Sequence, residues 1–396
     1  MIGAAASWES KSVKYKGEGN VKLGIIFSND WELCGDGSGD YFKIQHRPLQ
    51  MLLEVMENHG AKLTIMAEVG QQWAHQELGS SNHHAAEISC AWDTILKDSI
   101  RRAMDVQLHF HPQWMGATYE GNKWKLNLSN WGLGSLPRKD LDNVLSRGKQ
   151  YLDCLLKPIR PSYECIAFRA GAYCIEPSSN VIPSLLHAGI KCDTSVTKGF
   201  SHPLFYDYRE AQSNVYPWIT DKHDIKNSGR LLDGVLEIPI YSVPMMNSPI
   251  LSKGFGIYLG ATMSSEERRW FREGRSIGEE RYPLAKRPFR SHMLKMSNVL
   301  RLLIRKSAVQ LDYDSIPASM FVQMISRIVT DNERKLPDND TIIPVMASGH
   351  VKQMHNTENV NRILDAVNQR FKGDIVHWTL QDATEFWLRR LKGVTA

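Results

Sequence analysis

The chain has 396 residues, 42% of them hydrophobic, enough for one large α/β domain with insertions or for two smaller domains. Its apolar runs fall far below the ~20 residues that span a bilayer, and residues 1–20 carry no signal-like apolar core and are expected to form a flexible tail, so a cytoplasmic protein is expected. The net charge of +5 is regional, with twelve Lys and Arg against five Glu between Glu266 and Lys306. Nothing resembles a nucleic-acid recognition module, so nucleic acid is not an expected partner.

In chain order, residues 21–28 (VKLGIIFS) predict a strand, and Pro48–Glu57 predicts a helix with Leu49, Leu52, Leu53 and Met56 in phase, closed by Gly60. Residues 61–68 (AKLTIMAE) predict a second strand, Ala91–Ala103 a helix and 105–111 (DVQLHFH) a third strand. A helix near 139–156, strand 165–169, helix 178–188 and strands 190–193, 235–241, 341–347 and 374–378 follow, with helices at about 357–371 and 380–391. This alternation predicts a mainly parallel sheet, open or closed into a barrel, within a single domain over 21–396. Two insertions interrupt it, at about 112–137, rich in Trp, Gly and Asn, and at about 245–312. Within the second, SHMLKMSNVLRLLIRKSAV can form an amphipathic helix. That basic stretch suggests a solvated helix or contact with an anionic membrane surface or a lipid-linked substrate, which would place the protein at the inner membrane face. Six scattered cysteines, with no CxxC pair, predict reduced thiols and no cysteine-bound metal.

The polar residues gather at the predicted C-terminal strand ends: Asp30 and Glu32 after the first strand, His109 and His111 at the third, Arg169, Asp193, and His350 after a late strand. In β/α folds, ligands bind at that edge. His109 and His111, two residues apart on a strand, face the same way and can reach one ion. Two neutral imidazoles and a carboxylate leave coordination positions open for water, whose pKa zinc lowers from ~15.7 to about 7. A second carboxylate would take the water proton, a separate histidine would protonate a departing amine, and an arginine would hold the base ionised. The set predicts metal-assisted hydrolysis.

With these residues placed, the chain resembles the NodB-homology polysaccharide deacetylases over roughly residues 21–390. FSNDWE (27–32), LHFHP (108–112), AFRAGAY (167–173), CDTS (192–195) and MASGH (346–350) look like its five motifs in order, in forms resembling an O-antigen and exopolysaccharide-associated, WbmS-like branch. The resemblance implies an irregular (β/α) barrel, a divalent metal, most simply Zn²⁺, and removal of an N-acyl group, acetyl above all, from a sugar in surface polysaccharide biosynthesis. It implies Asp30, Arg169 and His350 as catalytic residues and Glu32, His109 and His111 as metal ligands. Asn29-Asp30 stands where the family carries Asp-Asp, and a single residue separates the histidines where the family has three. In the rival assignment Asp30 is the ligand and the base is unassigned. Asp193, Trp114 and Tyr173 are expected in support of the site or against substrate, the backbone near Ala172 or Tyr173 as an oxyanion contact, and Trp114, Trp124 and Trp131 as loop core or, alternatively, as platforms for a sugar. An allantoinase-like hydrolase of a non-sugar C–N bond and a non-catalytic saccharide-binding barrel are the alternatives.

Overall fold

A computed structural model describes residues 21–231, 233–246, 306–332, 341–354 and 357–394. The predicted tail, almost all of the basic 266–306 segment with its amphipathic helix, and most of the 245–312 insertion lie outside the described residues. Among the described residues no helix is long and apolar enough to cross a membrane, and all six cysteines are unpaired.

The first strand, β1 (Lys22–Trp31), is buried from its second residue onward and has paired neighbours on both sides. After it come α1 (Arg47–Asn58), β2 (Leu63–Glu68), α2 (Val69–Gly79), α3 (His83–Arg101) and β3 (Asp105–Phe110). A short hairpin of β4 (Thr118–Glu120) and β5 (Lys123–Lys125) occupies the first insertion, before α4 (Arg138–Leu156), β6 (Ala167–Ala170), α5 (Val181–His187) and β7 (Cys192–Asp193). Then come a second hairpin, β8 (Ser201–His202) with β9 (Tyr206–Asp207), and the short strands β10 (Trp218–Ile219) and β11 (Leu236–Glu237). The antiparallel pair β12 (Ser242–Met246) and β13 (Lys306–Gln310) brackets the undescribed part of the second insertion. The chain closes with α6 (Ala318–Asn332), β14 (Ile342–Gly349), α7 (Glu358–Arg370), β15 (Ile375–His377) and α8 (Leu380–Val394).

The main sheet runs β10-β11-β7-β6-β3-β2-β1-β14, with β15 also paired to β1, and is parallel except at β10–β11. It curls until its ends are tied by a single bridge, Ile240 with Met346, where Tyr241 N–H donates to the Met346 carbonyl at 3.0 Å. The predicted parallel sheet is therefore present, and the closure is one bridge where a regular barrel would have a ladder. Residues 306–312, assigned to the second insertion from the sequence, pair with this seam instead: Leu311 N–H donates to Tyr241 O at 2.8 Å, and Ser348 N–H to Leu311 O at 3.0 Å. Two further departures are α2 and the first turns of α3, which precede the helix expected at Ala91–Ala103 and had no element assigned to them. Asn82 caps α3 by accepting from Ala85 N–H at 3.1 Å.

Successive strand residues point to opposite faces, and this period places the site. On β1, Leu23, Ile25 and Phe27 pack into the large core under the surrounding helices. Ile26 joins Met66, Ala167, Cys192, Ile238, Ile240 and Met346 in a second core inside the curl, with Leu380, Ala383 and Trp387 of α8. Gly24, of the same parity, has no room for a side chain, since a Cβ there would lie 2.2 Å from the Trp378 ring. Stepping two residues at a time toward the C-terminal ends, the inner stripe changes from apolar to polar: Ile26-Ser28-Asp30-Glu32, Met66-Glu68, Gln107-His109-His111, Ala167-Arg169 and Met346-Ser348-His350.

Candidate active site

Glu32, Glu68, His109 and His111 meet at one buried point, each offering a ligand atom within 4.8 Å of the others. Glu32 Oε2 is 3.4 Å from His109 Nε2 and 3.0 Å from His111 Nδ1, and Glu68 Oε2 is 2.6 Å from His111 Nδ1. Three of the four, His109, Glu68 and Glu32, are held from behind by their other polar atom. His109 Nδ1 donates to the Arg169 carbonyl at 2.8 Å, which leaves Nε2 as the unprotonated nitrogen. Glu68 Oε1 accepts from Gly70 N–H at 2.8 Å, and Glu32 Oε1 accepts from Lys352 Nζ. His109 Nε2 is fully buried without a hydrogen-bond partner, a costly state unless something binds it.

These residues fit a divalent cation. Ligands about 2.0–2.2 Å from an ion at tetrahedral angles lie about 3.3–3.6 Å apart; the Glu32–His109 separation of 3.4 Å matches this, whereas His111 Nδ1 stands closer to both carboxylates, at 3.0 and 2.6 Å, as a hydrogen-bonded ring does. The cluster also demands positive charge. Burial opposes charge on His111, but Glu32 and Glu68 outweigh it and raise its pKa to about 10. Burial likewise opposes ionisation of Glu32, yet His111, Lys352 and His109 hold its carboxyl well below the usual range. The backbone of Gly171 packs directly on the His111 ring, where a Cβ would sit 2.4 Å from two ring carbons.

Beside this cluster lies a second group. Arg169, fully buried, donates from Nη1 to Asp30 Oδ1 at 2.5 Å, from Nη2 to Ser28 Oγ at 2.9 Å and from Nε to the Thr194 carbonyl at 3.0 Å. Burial raises the Asp30 pKa, but Arg169, His109 and His350 prevail and it stays below the ordinary value. His350 Nε2 is 3.4 Å from Asp30 Oδ2, and its side chain is 16% exposed where those of Arg169 and Asp30 are 0% and 3%, so it stands nearest the mouth. Burial lowers the His350 pKa against the pull of Asp30, which favours a neutral ring.

The structure thus brings together all six residues expected in catalytic or metal-binding roles, and it separates them: Glu32 stands with the histidines, Asp30 with Arg169 and His350. The supporting residues take more varied places. Asp193 accepts from Ser195 N–H and Oγ at 2.8 and 3.0 Å, and Ser195 Oγ accepts from Ala170 N–H at 2.9 Å, so it braces the strand carrying Arg169. Tyr173 lies near Asp30, and its hydroxyl accepts from Gln310 Nε2 at 3.1 Å; Ala172 and Tyr173 both have left-handed backbone, with φ of 52° and 59°. Trp114 is 7% exposed and packs edge-on against Trp124, the supporting one of the two roles expected for it. Trp131 stacks on Phe205.

Glu68 was missed, although it ends the predicted second strand in phase with Met66. Lys352 was also missed. So were Asp312 and Asp314, which the seam brings beneath His350: Asp314 accepts the His350 backbone N–H. Burial, and in Asp314 also repulsion by Asp312, raises both carboxyl pKa values. Their signal lay in tertiary pairing alone.

No family model and no curated protein matches the chain. Among solved structures, it is similar to a protein from Mycobacterium smegmatis described as a polysaccharide deacetylase (TM-score 0.44, 11% identity, covering 99% of this chain and 96% of that one). It is also similar to PuuE allantoinase (TM-score 0.43, 8% identity, 94% and 92% covered). A third is a Bordetella bronchiseptica protein described as a polysaccharide deacetylase involved in O-antigen biosynthesis (TM-score 0.27, 14% identity, 62% and 65% covered). At such identities and TM-scores these likenesses carry no functional weight, and the side chains themselves must supply the assignment.

Proposed function

We propose that this chain is a metal-dependent hydrolase that removes an N-acyl group, in the first instance acetyl, from a sugar of a surface polysaccharide pathway. The observation that carries the reading is the convergence of Glu32, Glu68, His109 and His111 on one buried point, directly beside a separately held Asp30–Arg169 pair and His350. Carboxylates and imidazoles with no thiolate suit zinc or another divalent ion of similar preference. When bound, such an ion supplies a Lewis acid for the acyl carbonyl and a water of lowered pKa.

The protein's own groups do the rest. Arg169 holds Asp30 ionised and fixed, so Asp30 is the base that takes the proton from the attacking water. His350, 3.4 Å from Asp30 and starting neutral, receives that proton and delivers it to the departing amine. Water adds to the amide carbon, the C–N bond breaks, and carboxylate and amine leave. Ser28 and Thr194 fix the guanidinium, so that a small shift of Arg169 does not misplace the base.

The test is to purify the protein, measure its bound metal, and follow acetate and formate release from N-acylated sugars alongside ureide hydrolysis. Release that requires His109 and His111 supports the reading. Full metal content and turnover in the His109→Ala, His111→Ala double variant would sink the ligand assignment, and ureide turnover without sugar deacylation would move the function to the allantoinase-like class.

A further inference from the structure

Gln310, the last residue of β13, enters the site from across the seam. Leu311 N–H donates to Tyr241 O and Ser348 N–H to Leu311 O, so β13 delivers its final side chain beside the end of β14. There the half-buried Gln310 carboxamide is held by its nitrogen alone: Nε2 donates to the Tyr173 hydroxyl at 3.1 Å and also to Ser348 Oγ. Both of its N–H groups are thereby used, and the carbonyl oxygen turns the other way. Among the described residues no group donates to Gln310 Oε1, and the atom is not sealed from solvent. A carbonyl fixed in this way is an acceptor for a ligand N–H or O–H. Its neighbours place it on one side of the reacting centre. Ser348 precedes His350 by two residues on the inner stripe, and a bridge sets Asp312 against Ser348. Burial and Asp30 raise the Tyr173 pKa while Arg169 lowers it, which puts an un-ionised phenol beside that ion pair. Gln310 therefore stands with Asp30, Arg169 and His350, on the side from which the departing nitrogen is protonated.

We infer, resting on the hydrolase reading, that Gln310 Oε1 accepts the N–H of the scissile bond and so commits the site to amides over esters. A secondary amide carries one proton on nitrogen. That proton stays there throughout, while His350 adds the second that lets the amine leave. An ester presents an oxygen lone pair at the same place, so the Gln310 carbonyl would lose its partner and meet another acceptor. A site built around a substrate N–H discriminates against the analogue that lacks it for this reason. Gln310 is the residue in contact with substrate. Tyr173 and Ser348 are positioning residues, because their oxygens hold the carboxamide nitrogen and keep the group from turning its NH₂ toward the amide.

The experiment uses the full chain with its metal and two probes, the methyl glycosides of N-acetylglucosamine and of 2-O-acetylglucose. Binding is read by calorimetric titration in the His350→Ala background, which is expected to leave both probes intact. The amide-to-ester preference should be about tenfold greater with Gln310 than with Gln310→Leu, the worth of one hydrogen bond. Gln310→Glu, which keeps an acceptor oxygen, should retain most of the preference, and the Tyr173→Phe, Ser348→Ala pair should lose part of it. Metal content and melting temperature identify any variant that fails to fold. Equal preference with Gln310 and Gln310→Leu, a loss in Gln310→Glu as deep as in Gln310→Leu, or no binding of the amide overturns the assignment. Acetate release measured in the parents that retain His350 separates the two readings. Amide hydrolysis with a preference indifferent to Gln310 keeps the hydrolase and removes this contact, whereas Gln310-dependent amide binding without release does the reverse.

Discussion

Arg169 and Asp30 form a buried ion pair, with Nη1 and Oδ1 2.5 Å apart and side-chain exposures of 0% and 3%. Removing one partner of such a pair leaves a buried charge uncompensated, which costs about 3–5 kcal/mol. Arg169→Met is therefore expected to lower unfolding free energy by that order, and Asp30→Asn by less, because an amide can still accept from the guanidinium. A denaturant-melt double-mutant cycle with Asp30→Asn reads the coupling; additive losses would show that the pair is not an interacting unit.

Metal content should follow the four converging side chains. His109→Ala removes a buried ring nitrogen that has no hydrogen-bond partner and should leave almost no bound ion. Glu68→Gln keeps the shape but removes a charge, and a loss of about 10–100-fold in affinity is expected, the size usual for a perturbed metal surround. Zinc at 100 times its Kd should stabilise the wild type by about 2.7 kcal/mol and His109→Ala hardly at all. Competition titration with a chromogenic chelator and thermal melts with and without zinc make the comparison.

Gly171 is a steric requirement of the cluster. Its Cβ would fall 2.4 Å from the His111 ring, so Gly171→Ala must push His111 away from Glu32 and Glu68. Weaker metal binding is the expected outcome, with circular dichroism close to wild type; undiminished affinity would mean that His111 does not need its present position.

The buried acid pair Asp193 and Glu237 gives a pH dependence. Burial raises Asp193 to about 6, and burial together with Asp193 raises Glu237 well above the ordinary carboxyl value. Both groups hold protons more tightly folded than unfolded, so their contribution to stability is complete below the unfolded pKa of about 4 and is lost as pH rises through 6 and beyond. Glu237→Gln, which preserves the acceptor for Val196 N–H, should melt higher than wild type at pH 8, with the gap shrinking toward pH 5. A gap independent of pH would remove the pair as its cause.

Much of this site was legible before any coordinates. His109 and His111 could be placed on one face because a strand repeats every two residues, and Asp30, Arg169 and His350 because each follows an apolar run that had to be a strand. The same rule, carried to the second strand, reaches Glu68 from Met66. Helix α1 was legible because Leu49, Leu52, Leu53 and Met56 recur at the helical period and are all buried. Helix α2 was not, since its buried residues include Gly70, Gln71, Gln72 and His75, polar or small groups that give no amphipathic signal.

The sequence by itself determined the alternation of strands and helices, the polar ends of the inner stripe and the chemical types gathered there, because these follow from local periodicity. Only the tertiary structure decided which of Asp30 and Glu32 stands beside the histidines, that Asp193 braces a strand while Asp312 and Asp314 lie under His350, and that Gln310 meets Tyr173 and Ser348. Those relations join residues tens to hundreds of positions apart, and the distance between them is set by how the sheet curls and where its single closing bridge falls, which no local pattern encodes.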